Sequence, residues 1–134
     1  MPAQELNGSC ICGAVQYRVR GPWKRLHHCH CSKCRKVSGG AHTTTLFVAV
    51  EQLEWTEGET DIQRYDLPDL RWLTCLCRIC GTQVPRLIDN GTTWGIPAGS
   101  LDQHPDIRPD ARIFWASRAP WSCGADDVPT FDEY

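Results

Sequence analysis

Eight of the nine cysteines in this 134-residue chain fall into three short clusters, at residues 10–12, 29–34 and 75–80. A disulfide is awkward across one or two intervening residues. A tetrahedral zinc ion, in contrast, accepts sulfurs from such tight turns at about 2.3 Å. The spacing therefore predicts a protein that binds zinc or another thiophilic metal.

A secreted scaffold held by disulfides is the alternative explanation for so many cysteines. The count of nine is odd, and the first residues, Met1-Pro2-Ala3-Gln4-Glu5, lead into no apolar segment of the kind found in a signal peptide. We therefore expect a reducing, cytoplasmic location, where neighbouring thiols bind metals rather than one another.

The first and third clusters can complete one site together. Cys10 and Cys12 are one residue apart and lie on the same face of an extended segment, so they supply two ligands and need a partner pair. The sequence CRICG at 77–81 has the form of a zinc knuckle, in which glycine permits the tight turn after the second cysteine. We expect a closed, stabilising four-thiolate site made of Cys10, Cys12, Cys77 and Cys80.

The middle cluster supplies three sulfurs, from Cys29, Cys31 and Cys34, within six residues. Three protein ligands leave one tetrahedral position open, which is typical of a catalytic rather than a structural zinc. This cluster is therefore the candidate active site. The alternative is a second structural zinc whose fourth ligand comes from Cys75, Cys123, His27, His28 or His30.

Residues that follow the middle cluster suit a substrate site. Lys33, Arg35 and Lys36 place positive charge near the thiolates, and Arg35 has a planar fork that can hold a carboxylate. Ser38 and Gly39 begin a loop that a substrate could approach closely. His30, inside the cluster, is expected to point away from its cysteine neighbours, as a pocket residue or a structural histidine.

The elements that must position these cysteines are short and mainly β. Segments rich in β-branched and aromatic residues are separated by nine prolines and eleven glycines, and only residues 31–38 suggest a helical turn. Residues 89–91, Asp-Asn-Gly, predict a type I′ hairpin turn. The predicted strands lie at 14–19, 43–50, 83–88 and 92–96.

Length and charge limit the remaining possibilities. The chain predicts a single domain over 1–134, with a core of about 6–121, six tryptophans mostly in that core, and a loosely held acidic tail. A net charge of −2 argues against nucleic acid as a partner, and no apolar run is long enough to span a membrane.

Several motifs in the same order resemble a known family, that of the glutathione-dependent formaldehyde-activating enzymes, also called the centromere protein V/Gfa family. The resemblance covers nearly the whole chain. The motifs that carry it are GSCICGAVQY at 8–17, CHCSKCRKVSGGA at 29–41, CRICGT at 77–82, GSLD at 99–102, and APW and PTF at 119–121 and 129–131.

The resemblance implies a mainly β, Mss4-like or β-tent fold with two zinc ions per chain, one in each of the sites described above. It also implies a carbon–sulfur lyase that combines glutathione, or a similar small thiol, with formaldehyde or another small aldehyde. The expected product is S-(hydroxymethyl)glutathione. A non-catalytic thiol carrier, or a partner-binding module, would leave the same sequence signature.

Overall fold

Short β-strands are the main secondary structure of residues 4–122 and 128–133, the part of the chain that this computed structural model describes. The one α-helix in this part has two turns. The mainly β, single-domain prediction is therefore confirmed. The elements are β1 (Glu5–Ser9), β2 (Gln16–Arg20), β3 (Arg25–Cys29), α1 (Ser32–Ser38), β4 (Thr43–Ala49), β5 (Leu53–Glu57), β6 (Ile62–Asp66), β7 (Leu73–Cys77), β8 (Gln83–Val84), β9 (Arg86–Ile88), β10 (Thr93–Pro97) and β11 (Ala111–Ile113).

The strands form three sheets. The first has the order β1-β2-β5, the second β11-β3-β4-β10-β9, and the third β6-β7-β8. All pairings are antiparallel except that of β11 with β3, which is parallel. Each cysteine cluster lies at or just after the end of a strand, with the first after β1, the second after β3 and the third at the end of β7.

Alternation along β2 explains how the first sheet joins the core. Tyr17 and Val19 are buried while Gln16, Arg18 and Arg20 are exposed, as a strand with one covered face requires. The main core combines such residues from several strands: Leu6, Tyr17, Val19, Leu26, Leu46, Val48, Leu53 and Ile96. A second, smaller cluster contains three cysteines and two valines: Cys10, Val15, Cys75, Cys77 and Val84.

Two of the motifs noted in the sequence meet at Tyr17. A Cβ atom at Gly8 would collide with the Tyr17 ring, so glycine is required there for β1 to pair with β2. The Tyr17 hydroxyl lies 2.6 Å from Ser100 Oγ, which in turn donates to the carbonyl of Pro97 at 2.7 Å. This buried pair holds the 99–102 motif against the first sheet.

The predicted elements are found with shifted ends. The segments at 14–19, 43–50 and 92–96 correspond to β2, β4 and β10, and the helical turn to α1. The segment at 83–88 is interrupted at Pro85, which lacks an N–H for a strand ladder and separates β8 from β9. The hairpin between β9 and β10 is confirmed, but its loop has four residues because Ile88 pairs with Thr93.

The prediction that the tryptophans fill the core is wrong for two of them. Trp23, Trp55 and Trp94 pack on the main core, whereas Trp115 and Trp121 are exposed. Both exposed residues follow β11, where the chain runs along the surface. Within the described residues, none of the helices is long and apolar enough to cross a membrane.

Candidate metal centres and active site

The first and third cysteine clusters meet in space, as the sequence predicts. The Sγ atoms of Cys10, Cys12, Cys77 and Cys80 all lie within 4.8 Å of one another. Cys10 follows β1 of the first sheet and Cys77 ends β7 of the third, so the cluster joins two sheets whose cysteines are far apart in sequence. Such a position favours a stabilising role.

Two similar turns present these four sulfurs. The N–H of Gly13 donates to the Cys10 carbonyl at 3.0 Å, and that of Gly81 donates to the Cys77 carbonyl at 2.8 Å. Both glycines have positive φ angles, 79° and 81°, which side chains with a Cβ adopt reluctantly. Glycine is therefore favoured after each pair of cysteines, because it adopts this backbone conformation without strain.

The sulfur spacing fits a tetrahedral metal ion. Cys12 Sγ lies 3.6 Å from Cys10 Sγ and 3.8 Å from Cys77 Sγ. Ligands about 2.3 Å from a tetrahedral zinc are about 3.8 Å from one another. The donor set therefore fits zinc.

Hydrogen bonds to sulfur favour the thiolate form at two of the four cysteines, Cys80 and Cys10, whereas the pKa of Cys12 is raised to about 12. The Thr82 hydroxyl lies 3.2 Å from Cys80 Sγ and lowers the pKa of that thiol to about 5, with help from backbone N–H groups. The same hydroxyl oxygen accepts the N–H of Ile11 at 3.1 Å, which ties the two turns together. At Cys10, burial opposes ionisation, but the N–H of Val15 and neighbouring thiols outweigh it, so the pKa falls.

The middle cluster is also assembled. The Sγ atoms of Cys29, Cys31 and Cys34 lie within 4.8 Å of one another, at the junction of β3 and α1. Cys31 is the N-cap of α1, and its sulfur accepts the N–H of Cys34 at 3.4 Å. The two-residue spacing between these cysteines therefore follows from helix capping, with sulfur in place of the usual oxygen.

The thiols of the middle cluster differ in acidity. Burial, with neighbouring thiols, raises the pKa of Cys29 to about 12. Burial also opposes ionisation at Cys31, but the N–H of Cys34 and the other two thiols outweigh it and lower its pKa. A thiol cluster of this kind binds a divalent cation by releasing protons, so its affinity for metal rises with pH.

No fourth protein ligand joins the middle cluster within residues 4–122 and 128–133. This excludes Cys75, His27, His28 and His30 from the ligand set. Cys123, the remaining candidate, lies outside the described residues. Cys75 is instead buried in the small core beside Cys77, where it packs as an apolar residue near the four-thiolate site.

His30 is buried beside the middle cluster. Its ring lies 4.9 Å from that of Trp115 and 5.0 Å from that of His42, which stacks on His28 at 4.0 Å. Neither ring nitrogen of His30 has a hydrogen-bond partner in the described part of the chain. Burial, followed by the charge of His42, lowers the pKa of His30, so the ring is neutral at pH 7.

The predicted substrate-binding residues lie on α1 or at its C-terminal end, but only one of them lines the neighbouring cavity. Arg35 is half-buried and its Nε has no hydrogen-bond partner among the described residues, while Lys33 is also half-buried. Gly39 is the C-cap of α1, with φ 71°, and its N–H donates to the Arg35 carbonyl at 2.9 Å. Ser38 lines a cavity next to the helix, and Lys33, Arg35 and Gly39 do not.

That cavity, of about 590 Å³, borders the four-thiolate site and the strand that pairs with Cys29. It is bordered by Cys10 and Thr82 of the four-thiolate site and, on the other side, by Ser38 and by Thr43, the strand partner of Cys29. Hydroxyl groups from serine and threonine dominate the wall, and Arg86 is its one arginine. Arg86 has no signal in the sequence, because its position depends on the pairing of β9 with β10.

The fold and the two clusters define a small β protein built around two thiolate sites. The family model described as glutathione-dependent formaldehyde-activating enzyme matches residues 5–117. The chain therefore belongs to this family, which confirms the resemblance seen in the motifs.

Two further comparisons agree with this assignment to different degrees. A protein of Halomonas elongata named for the same family is 53% identical over 36 residues. The matched stretch covers 26% of this chain and 23% of that protein, so the chain spans about a quarter of the relative's length. A crystal structure of a Rhodobacter sphaeroides protein superposes with a TM-score of 0.62, at 19% identity, over 80% of this chain and 99% of that one. It supports the fold alone.

Proposed function

We propose that this protein is a zinc-dependent carbon–sulfur lyase that forms or cleaves S-(hydroxymethyl)glutathione, or the adduct of a similar thiol and a small aldehyde. The observation that carries the proposal is the middle cluster, which brings together three cysteine sulfurs and no fourth ligand among the described residues. The family's name supports glutathione and formaldehyde as the substrates.

The proposed chemistry needs a thiolate beside a small carbonyl compound. A zinc ion on Cys29, Cys31 and Cys34 would supply a fourth position at which an incoming thiol is held deprotonated near neutral pH. The protein's own part is to orient the thiol and confine the aldehyde near it, which replaces a bimolecular encounter by a positioned one. We assign the four-thiolate site, Cys10, Cys12, Cys77 and Cys80, a structural role.

Charge recognition would come from α1. Glutathione has two carboxylates and one ammonium group, so its binding near three thiolates requires cations. Arg35 directly follows Cys34 and is our first candidate for a carboxylate contact, through the outer guanidinium nitrogens because its Nε is enclosed; Lys33 lies two residues before it. Ser38 would contact a ligand in the cavity, and Gly39 would keep the loop after α1 open by ending the helix.

The test is the rate of adduct formation compared with the uncatalysed rate. Exchange between glutathione, formaldehyde and their adduct can be followed by NMR with zinc-loaded protein and with Cys31→Ser. We expect the wild-type protein to accelerate exchange and the variant, with its zinc at the four-thiolate site retained, to leave the rate at background. Acceleration by both proteins alike would place the chemistry elsewhere, and acceleration by neither would favour a thiol carrier.

A further inference from the structure

Arg86 lines the cavity described above and lies within electrostatic range of Cys29 and Cys34 of the middle cluster. It begins β9 and pairs with Gly95 of β10, so both residues face the same side of the sheet. A Cβ atom at Gly95 would lie 3.4 Å from Arg86 Cζ and 3.6 Å from Arg86 Cγ. The arginine side chain therefore runs across the glycine, at ordinary van der Waals distance from where a Cβ atom would lie.

The guanidinium of Arg86 has no partner for its hydrogen bonds in the described residues. No side-chain hydrogen bond or ion pair from it occurs within residues 4–122 and 128–133. In that part of the chain, none of its nitrogens is both unpaired and fully enclosed by protein. Its donors therefore face cavity space, where a ligand can reach them.

Asp102 lines the same cavity as Arg86, and Asp66 and Asp89 line a second cavity that Arg86 also borders, but among the described residues none of these carboxylates forms an ion pair with it. Burial lowers the pKa of its guanidinium, and the nearby charges of Cys34, Cys75 and Cys29 oppose that effect. A partly buried arginine that lacks an acidic partner is costly unless an anion completes its environment. Because Cys34 and Cys29 belong to the middle cluster, such an anion would lie near the proposed thiol position.

The cavity wall has groups that would help to hold an anion. Arg86 lines it together with Thr45, whose methyl group also touches the space above Gly95, and with Ser38 and Gln83. Gln83 is oriented by donating its side-chain N–H to the Val37 carbonyl at 3.0 Å, which links this wall to α1. The cavity volume of about 590 Å³ is large enough for a small peptide.

We propose that Arg86 binds a carboxylate of the thiol substrate in this cavity and so selects acidic thiols over neutral ones. This inference rests on the proposed function for the identity of the thiol, glutathione. Its physical basis is the planar guanidinium group of arginine, which can hold a carboxylate with two charge-assisted hydrogen bonds. Arg35 of α1 and Arg86 of β9 come from different elements near the middle cluster, which suits a ligand with two carboxylates.

The experiment compares two thiols on zinc-loaded protein by calorimetric titration. Glutathione has carboxylates, whereas 2-mercaptoethanol is a neutral thiol that can reach the metal alone. We expect Arg86→Gln to weaken glutathione binding about tenfold or more, and to leave 2-mercaptoethanol binding and zinc content unchanged. Arg20→Gln, a change of the same charge at an exposed position on β2, is the matched control and should bind both thiols like the wild type.

Arg86→Lys provides a second variant in case Arg86→Gln does not fold. Lysine keeps the charge and the apolar stem but lacks the planar guanidinium, so we expect glutathione binding to weaken about threefold and 2-mercaptoethanol binding to persist. Unchanged glutathione affinity in both variants would overturn the proposal. Equal losses for the two thiols would overturn it too, because Arg86 would then serve the thiolate cluster instead of a substrate carboxylate.

Binding and turnover separate this inference from the proposed function. If the wild-type protein binds glutathione in an Arg86-dependent way but does not accelerate adduct exchange, the carboxylate site stands and the lyase proposal fails. If exchange is accelerated while Arg86→Gln binds glutathione like the wild type, the lyase proposal stands and the assignment of Arg86 is wrong.

Discussion

Replacing one cysteine in each cluster should have very different effects on stability. Cys77 is fully buried, and Cys77→Ser removes one of four sulfurs from the site that joins the first and third sheets. Zinc binding contributes about 10–16 kcal/mol to small structural zinc modules, so losing a third of that costs about 3–5 kcal/mol. This approaches the whole stability of an ordinary domain, about 5–15 kcal/mol. We expect the melting temperature to fall by about 10 °C or more.

Cys31→Ser should leave the protein folded. Cys31 caps α1 through a bond from the N–H of Cys34, and serine is a good N-cap that can accept the same bond. The middle cluster also lies within six residues of one chain segment, so its loss frees no distant strand. We expect a loss of at most about 1 kcal/mol, or about 5 °C in melting temperature.

Thermal unfolding followed by circular dichroism, with metal analysis of the same samples, tests both substitutions. Zinc-replete wild-type protein should contain two zinc ions per chain and Cys31→Ser one. Unfolding of Cys31→Ser at as low a temperature as Cys77→Ser would show that the middle cluster is structural and would remove the basis of the lyase proposal. A single zinc in the wild-type protein would contradict the two-site account itself.

Three further predictions follow from individual contacts. Arg35→Ala should weaken glutathione binding about tenfold with zinc content unchanged, whereas Lys36→Ala, exposed on the same helix, should not; equal calorimetric affinities would place the pocket elsewhere. Tyr17→Phe should cost about 1–3 kcal/mol in urea unfolding, because the 2.6 Å contact with Ser100 is buried, and a loss below about 0.5 kcal/mol would contradict this. Burial raises the pKa of Cys75, so its thiol should react with iodoacetamide only on unfolding; rapid labelling in the folded, zinc-loaded protein would refute that burial.

The cysteine sites could be predicted because their information is local. The sequence CRICG defines a tight turn whether or not its partner is known, and Gly81 has the expected positive φ. The prediction of an extended segment at Cys10 and Cys12 is wrong, because the N–H of Gly13 closes a similar turn there. The pairing of residues 10–12 with 77–80 followed from ligand number, since neither pair fills four positions alone. For the same reason, the three sulfurs at 29–34 could be recognised as an incomplete set.

Features that depend on strand pairing could not be read from the sequence. Arg86 looks like an ordinary strand residue until β9 pairs with β10 and places it over Gly95. The cavity is formed by residues from distant segments, among them Ser9, Thr43 and Ser100, which share no sequence pattern. Strands such as β6, with mostly exposed residues, lack the hydrophobic alternation that identifies a strand.

The central claim is that the middle cluster offers a metal position to an incoming thiolate, and cobalt substitution tests it most directly. Cobalt(II) in place of zinc gives sulfur-to-metal charge-transfer absorption that grows with the number of bound thiolates. We predict that glutathione increases this absorption in the wild-type protein and not in Cys31→Ser, and that S-methylglutathione, which has no thiol, leaves it unchanged. No increase with saturating glutathione on the wild-type protein would contradict the account.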